Sequence, residues 1–295
     1  MNKEITIPTT SIDFDQYDPK NIEVWDTYIQ ISDEAERLEK AIISSKYPYL
    51  IESEKGQGKT LLVHTLCKKL KVALIEEPIG AGIKKSDLIG TKEINSDGTF
   101  FSLGLLPKAI CVANHFGHAV LYGDEANAQE HDMQRYWNRI CDGRRSIVAN
   151  GKTYRLKEDC KLTIIWTINP VTYAGINTMT EDLRSRFVGR VWNYPSNADL
   201  EKVIDWEGIP SDTVKMPLLV LVQDIYALRM KGDVEYALSI RDIVQFCTYF
   251  KDNVEEGNTH SIKTALEEVI LIKYGEPMDR ELIRIRIKDT FGVVL

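Results

Sequence analysis

The sequence predicts an α/β fold: a mostly parallel sheet flanked by helices, followed by a small all-helical domain. Three observations predict it. Apolar runs of strand length alternate with helix-like runs from about residue 45 to about residue 194, as crossover-connected parallel strands require. A glycine-rich turn, Ser53-Glu54-Lys55-Gly56-Gln57-Gly58-Lys59-Thr60, joins the first strand to the helix after it; strand, tight turn and helix form the context of a phosphate-binding loop. Beyond about residue 199 the strand patterns stop and helical ones take over.

The elements follow in order. Residues 1–30 read as an arm, with a polar turn at Asp15–Pro19. Ser32 to Ser44 predicts a helix, since Ile31, Ala35, Leu38, Ala41 and Ile42 share a face and Ser32 suits the N-cap. Tyr47 to Ile51 is the first strand, Leu61 to Leu70 the helix after the loop, and Val72 to Glu76 the second strand. Gly80 to Phe101 is glycine-rich and weakly patterned, which predicts loop with short elements. Helices are expected at Leu105–Asn114 and Asp132–Cys141, with a buried strand at Ala119–Tyr122 between them. Ser146–Val148 and Tyr154–Leu156 flank Asn150-Gly151, a hairpin signal. A buried strand at Leu162–Thr167, a short helix at Glu181–Phe187 and a last strand at Gly189–Trp192 complete the sheet domain. Thr213–Met230, Ser239–Phe250, His260–Lys273 and Asp279–Lys288 then predict helices. The expected division is an arm over 1–30, a nucleotide-binding α/β domain over 31–198 and a helical lid domain over 199–295.

Composition narrows the class. The 295 residues are 43% hydrophobic and 27% charged, an ordinary balance for a protein with a sizeable core, and the net charge of −7 speaks against a globally basic nucleic-acid binder. The five cysteines form no CxxC pair and read as buried or partly buried thiols in a reducing compartment. Met1-Asn2-Lys3-Glu4-Ile5 lacks an export pattern, and no apolar run reaches spanning length; a cytoplasmic protein without membrane contact is expected.

The chemistry centres on the glycine-rich turn. Backbone N–H groups around such a loop converge on phosphate at the positive end of the following helix. Gly56 and Gly58 permit the turn, Lys59 can reach the β- and γ-phosphates, and the Thr60 hydroxyl suits magnesium. Residues Ser53 to Leu61 are therefore the expected ATP-binding set. Ser53 stands where the usual pattern has glycine, and it can hold the turn if its φ is negative. About sixty residues on, Ala119-Val120-Leu121-Tyr122-Gly123-Asp124-Glu125 supplies the acids. Asp124, at a strand end, can hold magnesium, and Glu125, aimed elsewhere, can polarise water. Gly123 either leaves room for a close contact or weakens the strand. Asn169 follows the Leu162 strand and can face the γ-phosphate if that strand lies beside the one bearing Asp124. Glu76 and Glu77 read as structural or solvated.

The ordered set resembles the AAA+ ATPases, in the MoxR-type and dynein-related branch with the CbbQ/NirQ- and GvpN-like proteins. Ser86-Asp87-Leu88-Ile89-Gly90, Gly104-Leu105-Leu106-Pro107-Lys108-Ala109, Asp124-Glu125-Ala126-Asn127, Gly143-Arg144-Arg145 and Thr167-Ile168-Asn169-Pro170 carry the likeness over about residues 33–250. The resemblance implies a P-loop NTPase that hydrolyses ATP with Mg2+. It implies Asn169 as the sensor-1 residue, Arg186 as an arginine finger reaching a neighbouring subunit (Arg184 as fallback), and Arg241 as the sensor-2 arginine. It implies a hexameric homo-oligomeric ring acting as a remodelling ATPase or chaperone. The partner would be a protein client or a von Willebrand-type metal-binding protein encoded elsewhere. Phe100 and Phe101 read equally as client-gripping or core residues. Arg144, Arg145 and Lys152 read equally as channel-lining residues or a solvated hairpin. Two rivals remain at this stage: a nucleic-acid-associated motor of the helicase or restriction type, and a nucleotide-gated scaffold with little turnover. A small-molecule kinase fits the paired acids less well.

Overall fold

A computed structural model describes residues 9–96, 98–170, 178–209, 211–255 and 260–295. The segment Met1–Ile5, expected to carry no export pattern, lies outside the described residues, as do the first eight positions of the expected arm. By contacts the chain divides into two compact units: Met1–Tyr28 with Asp33–Ser53 and Lys59–Trp192, and Ile29–Ser32 with Glu54–Gly58 and Asn193–Leu295.

The first unit is built on one sheet. Its elements are α1 (Glu34–Ser44), β1 (Tyr49–Glu52), α2 (Lys59–Leu70), β2 (Ala73–Pro78), α3 (Lys85–Ile89), β3 (Gly90–Asn95), β4 (Gly98–Leu103), α4 (Leu105–Phe116) and β5 (His118–Asp124), then α5 (His131–Gln134), α6 (Asn138–Cys141), β6 (Ser146–Ala149), β7 (Lys152–Arg155), β8 (Lys161–Ile168), α7 (Glu181–Arg184) and β9 (Val188–Val191). Five strands run parallel in the order β2-β5-β8-β1-β9. Parallel strands covered on both faces read as continuous apolar runs. Ala119 to Tyr122 on β5 and Ile164 to Trp166 on β8 are fully buried for that reason. α2 turns Leu62, Val63, Leu66 and Cys67 into the core, where Ile51, Val120, Tyr122 and Ile165 meet them. Each such fully buried side chain contributes roughly 1.5–3 kcal/mol.

Gly123 answers the question its place in β5 raised. A Cβ there would collide with the Ile79 side chain and sit 3.2 Å from Trp166 Cδ1, so the close contact is the reason for the glycine. The Asn150-Gly151 turn is present between β6 and β7, with φ of 47° and 72°, as two-residue hairpins require. The five cysteines are unpaired thiols; Cys67, Cys141 and Cys247 are buried.

Four expectations need correction. α1 starts at Glu34 rather than Ser32, flanked by Asp33, whose carboxylate takes Arg37 at 2.5 Å and Arg190 instead of capping the helix. Gly80–Phe101 is more regular than a loop: β3 and β4 pair antiparallel from Gly90↔Leu103 to Asn95↔Gly98. The Asp132–Cys141 helix is broken by a tight turn at Arg135–Trp137, which sets the Trp137 indole to donate to Gln129 Oε1 at 3.1 Å and to meet Trp166 edge-on. His260–Lys273 is α11 (Ser261–Ala265) followed by a wide turn over Leu266–Ile270 and a tight one over Leu271–Lys273. Val269, Ile270 and Leu271 are all buried along these two turns.

Residues 9–28 pack on the first unit. Thr10 N–H donates to Phe101 O at 3.0 Å, Tyr17 is buried, and Phe14 stacks on His115. Phe101 is a core residue and Phe100 is half-buried beside it.

The second unit is helical: α8 (Asn197–Trp206), where no element is predicted, α9 (Met216–Lys231), α10 (Ile240–Glu255), α11 and α12 (Pro277–Phe291). Leu218, Leu221, Val222 and Ile225 of α9 pack with Phe246, Cys247 and Ile283 in one core. Ser239 and Asp242 form a reciprocal cap at the start of α10: Ser239 N–H donates to Asp242 Oδ2 at 2.8 Å, and Asp242 N–H to Ser239 Oγ at 3.3 Å.

Candidate functional site

The turn between β1 and α2 adopts the predicted conformation. Gly56 and Gly58 take φ of 74° and 76°, a region only glycine enters without strain. Ser53 is buried and keeps a negative φ; its N–H donates to Ile168 O at 3.2 Å. The substitution of serine for glycine has a direct consequence. Lys59, buried in the first turn of α2, donates from Nζ to Ser53 Oγ at 2.8 Å and to Ser53 O at 3.2 Å. Its ammonium is thus held at the mouth of the loop by oxygens that phosphate oxygens can replace. Gln57 is buried, and its Nε2 has no hydrogen-bond partner among the described residues. A buried unpaired donor costs roughly 1–3 kcal/mol, so this orphan in the loop favours an acceptor arriving with a ligand.

Glu54 to Gly58 cluster with the second unit. There Arg241 N–H donates to Gly56 O at 3.2 Å. A Cβ on Gly56 would strike the Ser239 side chain, so that position requires glycine by contact as well as by φ. The Arg241 side chain is exposed.

At the end of β5, strand alternation puts Val120, Tyr122 and Asp124 on the face that α2 covers. Asp124 is half-buried, and its Oδ1 accepts from the Thr167 hydroxyl and from Glu125 N–H at 3.0 Å. Glu125 is exposed with φ of 51°. A left-handed non-glycine residue costs about 1–3 kcal/mol and is concentrated at functional sites. Its Oε1 accepts from Asn169 Nδ2 at 3.2 Å, so β5 and β8, adjacent in the sheet, bring the predicted water activator and sensor together. Asn169 is anchored by Asn127: Asn127 Nδ2 donates to Asn169 O at 2.9 Å, and Asn169 N–H to Asn127 Oδ1 at 3.4 Å. A cleft of about 850 Å³ opens beside Asp124 and Glu125, with Glu77, Asp87, Glu93 and Lys108 along its wall.

Two polar residues were not assigned roles from sequence. Asn127 lies inside the quoted Asp124–Asn127 block, and only its buried exchange with Asn169 shows its function. Tyr122 is fully buried, and its hydroxyl lies 3.0 Å from Thr60 Oγ1. Its signal was the one polar tip in an apolar run.

The structure holds the two finger candidates in different ways. Arg186 is half-buried, with Asp182 at 3.0 Å and Asp142 at 3.9 Å, and its Nε is buried without a partner among the described residues. Arg184 is exposed and lies 3.6 Å from Glu52. Arg144 pairs with Asp142, Arg145 Nη1 donates to Ile140 O at 2.9 Å, and Lys152 lies over the Tyr154 ring. Glu76 accepts His64 Nε2 at 2.7 Å, a structural role.

Residues 48–187 match the AAA domain of the dynein-related subfamily. The chain is similar to AAA+ ATPases of the MoxR/CbbQ/NirQ-related branch. It is 24% identical over 197 residues to the denitrification regulatory protein NirQ of Stutzerimonas stutzeri, covering 67% of this chain and 70% of that one. It is 23% identical over 197 residues to the protein CbbQ of Hydrogenophilus thermoluteolus, covering 66% and 72% respectively. In fold it is similar to a mutant RuvB of Thermotoga maritima, with a TM-score of 0.52 at 14% identity over 85% of this chain and 73% of that one.

The residues present fit a triphosphate with a hard divalent cation. Asp124 and Thr60 offer oxygen donors, and magnesium characteristically takes one or two protein ligands and fills its remaining positions with phosphate oxygens and water. Among the described residues no helix is long and apolar enough to cross a membrane.

Proposed function

We propose that this ATPase is a ring-forming remodeller that couples ATP hydrolysis to a conformational change in a protein client. The pairing of Glu125 with Asn169 carries this reading. A carboxylate beside the magnesium-type acid, oriented by a buried amide, is the arrangement that activates water for attack on a γ-phosphate. In this scheme Glu125 takes the proton of the attacking water while Asn169 fixes the carboxylate's direction. Lys59 leaves Ser53 for the phosphates, and the loop from Ser53 to Leu61 donates its N–H groups to them. Thr60 and Asp124 would hold the Mg2+ ion, which would neutralise charge on the phosphate oxygens. Arg186 of one copy would reach the γ-phosphate of the next, with Arg184 the alternative; a planar guanidinium suits that charge. Arg241 would act as a second cationic sensor of the nucleotide.

A von Willebrand-type metal-binding partner is the partner class we propose, and a six-membered ring the assembly. Glu125→Gln tests the scheme. It should retain ATP, lose phosphate release by at least a hundredfold, and trap assemblies on the client. Phosphate release within tenfold of the parent protein would remove Glu125 from the role.

A further inference from the structure

We propose that the open edge of β9, with the groove between it and α1, is a docking surface for an extended acidic segment of a protein partner, which adds to the sheet beside β9. None of the nucleotide-site residues takes part in it.

β9 ends the strand order β2-β5-β8-β1-β9, so its far side has no neighbouring strand among the described residues. Its pairing with β1 fixes which backbone groups are already used. Val188 N–H donates to Pro48 O at 3.0 Å and Trp192 N–H to Glu52 O at 2.8 Å, with Arg190 opposite Ile51 between them. In a parallel ladder the N–H and C=O of alternate residues turn to the same neighbour. Those of Gly189 and Val191 therefore turn to the open side. All four residues of β9 are exposed, Val188 at 45% and Val191 at 57%. An open edge is a template for another chain, which native sheets blunt with bulges, proline, charged side chains or a covering segment. β9 has no proline and an unbroken register with β1, and its one charged side chain, Arg190, turns to Asp33.

The groove beside this edge selects the occupant. α1 lines it with Arg37, Lys40, Ala41 and Ser44, whose spacing puts them on one helix face. With Tyr47, Tyr49 and β9 they enclose a cleft of about 650 Å³. Its lining holds three cations, Arg37, Lys40 and Arg190, and no carboxylate, on a chain whose net charge is −7. Asp33, outside the lining, is shared by two of them, Arg37 at 2.5 Å and Arg190. One carboxylate against two guanidinium groups and the exposed Lys40 leaves the groove positive. Complementary charge supplies specificity and register to a docked partner. Side chains alternate across a strand, so Val188 and Arg190 share the α1 side and Val191 lies on the other. An added strand that matches both sides carries acids toward the groove and alternates them with apolar residues beside Val191. Main-chain pairing at an edge with side-chain selection beside it is how sheets take up extended peptides. A nucleic-acid strand would meet the cations and leave the Gly189 and Val191 backbone groups unused.

The test uses the full-length protein and a fluorescein-labelled ten-residue peptide that alternates glutamate and valine, read by fluorescence anisotropy. The parent protein should bind it saturably, and a peptide with lysine in place of glutamate at least tenfold more weakly. Lys40→Glu with Arg190→Glu should weaken the glutamate peptide at least tenfold. Two further peptides, one N-methylated on its glutamates and one on its valines, separate pairing from charge alone. One of the two sets faces β9, so one methylated peptide should lose at least tenfold, the scale of several lost backbone hydrogen bonds. No saturable binding to the folded parent overturns the proposal, as do both methylated peptides binding within twofold of the plain one. Tighter binding of a labelled oligothymidine than of the peptide, weakened by the same double variant, would assign the groove to nucleic acid and equally overturn it. So would self-association of the parent that the double variant abolishes and the peptide does not compete, which would assign the edge to a second copy. Should the double variant fail to fold, Lys40→Glu alone, an exposed substitution, decides with the methylated peptides: unchanged affinity within twofold overturns the charge selection.

Discussion

Asp124 in the first unit and Asp242 in the second are both carboxylates that meet hydroxyl and backbone donors, yet their settings differ. Asp242 is 2% exposed and saturated: Ser239 N–H and Oγ at 2.8 and 2.6 Å, the Tyr236 hydroxyl, and Lys273 Nζ at 3.2 Å. Asp124 is half-buried, and the donors of Thr167 and Glu125 both reach Oδ1. Among the described residues no donor reaches its Oδ2. A carboxylate whose lone pairs are consumed by its own fold stabilises that fold. A carboxylate with an oxygen left over at a strand end is available to a ligand. The same residue type is saturated in one unit and open in the other, and the difference lies in how many donors the surrounding chain supplies.

The comparison can be broken most severely through Glu125, which shares the open corner. Glu125→Gln should reduce phosphate release 10²–10³-fold, the scale of a lost general base, with thermal stability unchanged. The next largest effect contrasts the aspartates directly. Asp242→Ala should cost about 3 kcal/mol in denaturant unfolding, because Lys273 and the Ser239 and Tyr236 hydroxyls lose their common acceptor. Asp124→Asn should cost about 1 kcal/mol or less while abolishing Mg2+-dependent turnover. If Asp124→Asn proves the more destabilising of the two, the contrast between closed and open carboxylates is wrong.

Acid sharpens the same contrast. Burial disfavours the charge of Asp242, but its Ser239, Tyr236 and Lys273 donors outweigh that and hold its carboxyl below the ordinary 3.8. Its stabilisation is therefore fully present above about pH 4 and is lost as pH falls through the folded value. The stability gap between the parent protein and Asp242→Asn should be constant from neutral pH to about pH 4 and close below it. A gap that stays constant down to pH 2 would mean the charge contributes nothing.

The smallest effect runs the other way, at His64. Burial opposes its charge, but the Glu76 carboxylate and the Glu23 carbonyl outweigh burial and raise it above 6.5. Its contribution is fully present below about pH 6.5 and is lost as pH rises through the folded value. The melting-temperature gap to His64→Gln should be a few degrees at pH 5.5 and shrink by pH 9.

The phosphate loop and the acid pair were legible because their chemistry dictates residue type at fixed spacing. Gly56, Gly58, Lys59, Thr60, Asp124 and Glu125 leave little freedom. The parallel sheet was legible because strands covered on both faces must be apolar throughout. Asn127 gained its contact with Asn169 only from the pairing of β5 with β8, since one sequence does not say which strands are neighbours. The β3–β4 hairpin was hidden by Gly90, Lys92, Glu93 and Asn95, an edge pattern too polar to signal a strand. α8 carried a signal that went unread: Leu200, Val203 and Ile204 recur at helical spacing behind a capping pair, Ser196 and Asp199. The Ser53 departure, a weakness of the motif in sequence, proved to be a lysine-holding group.

The central claim is that a triphosphate sits on the loop beside Lys59 with its cation at Asp124. Calorimetric titration of Mg·ATP into the parent protein and into Lys59→Ala tests it most directly. Saturable binding in the parent, weakened at least tenfold in a folded Lys59→Ala, is the predicted result. Equal affinity in the two proteins, or no binding to the folded parent, would contradict it.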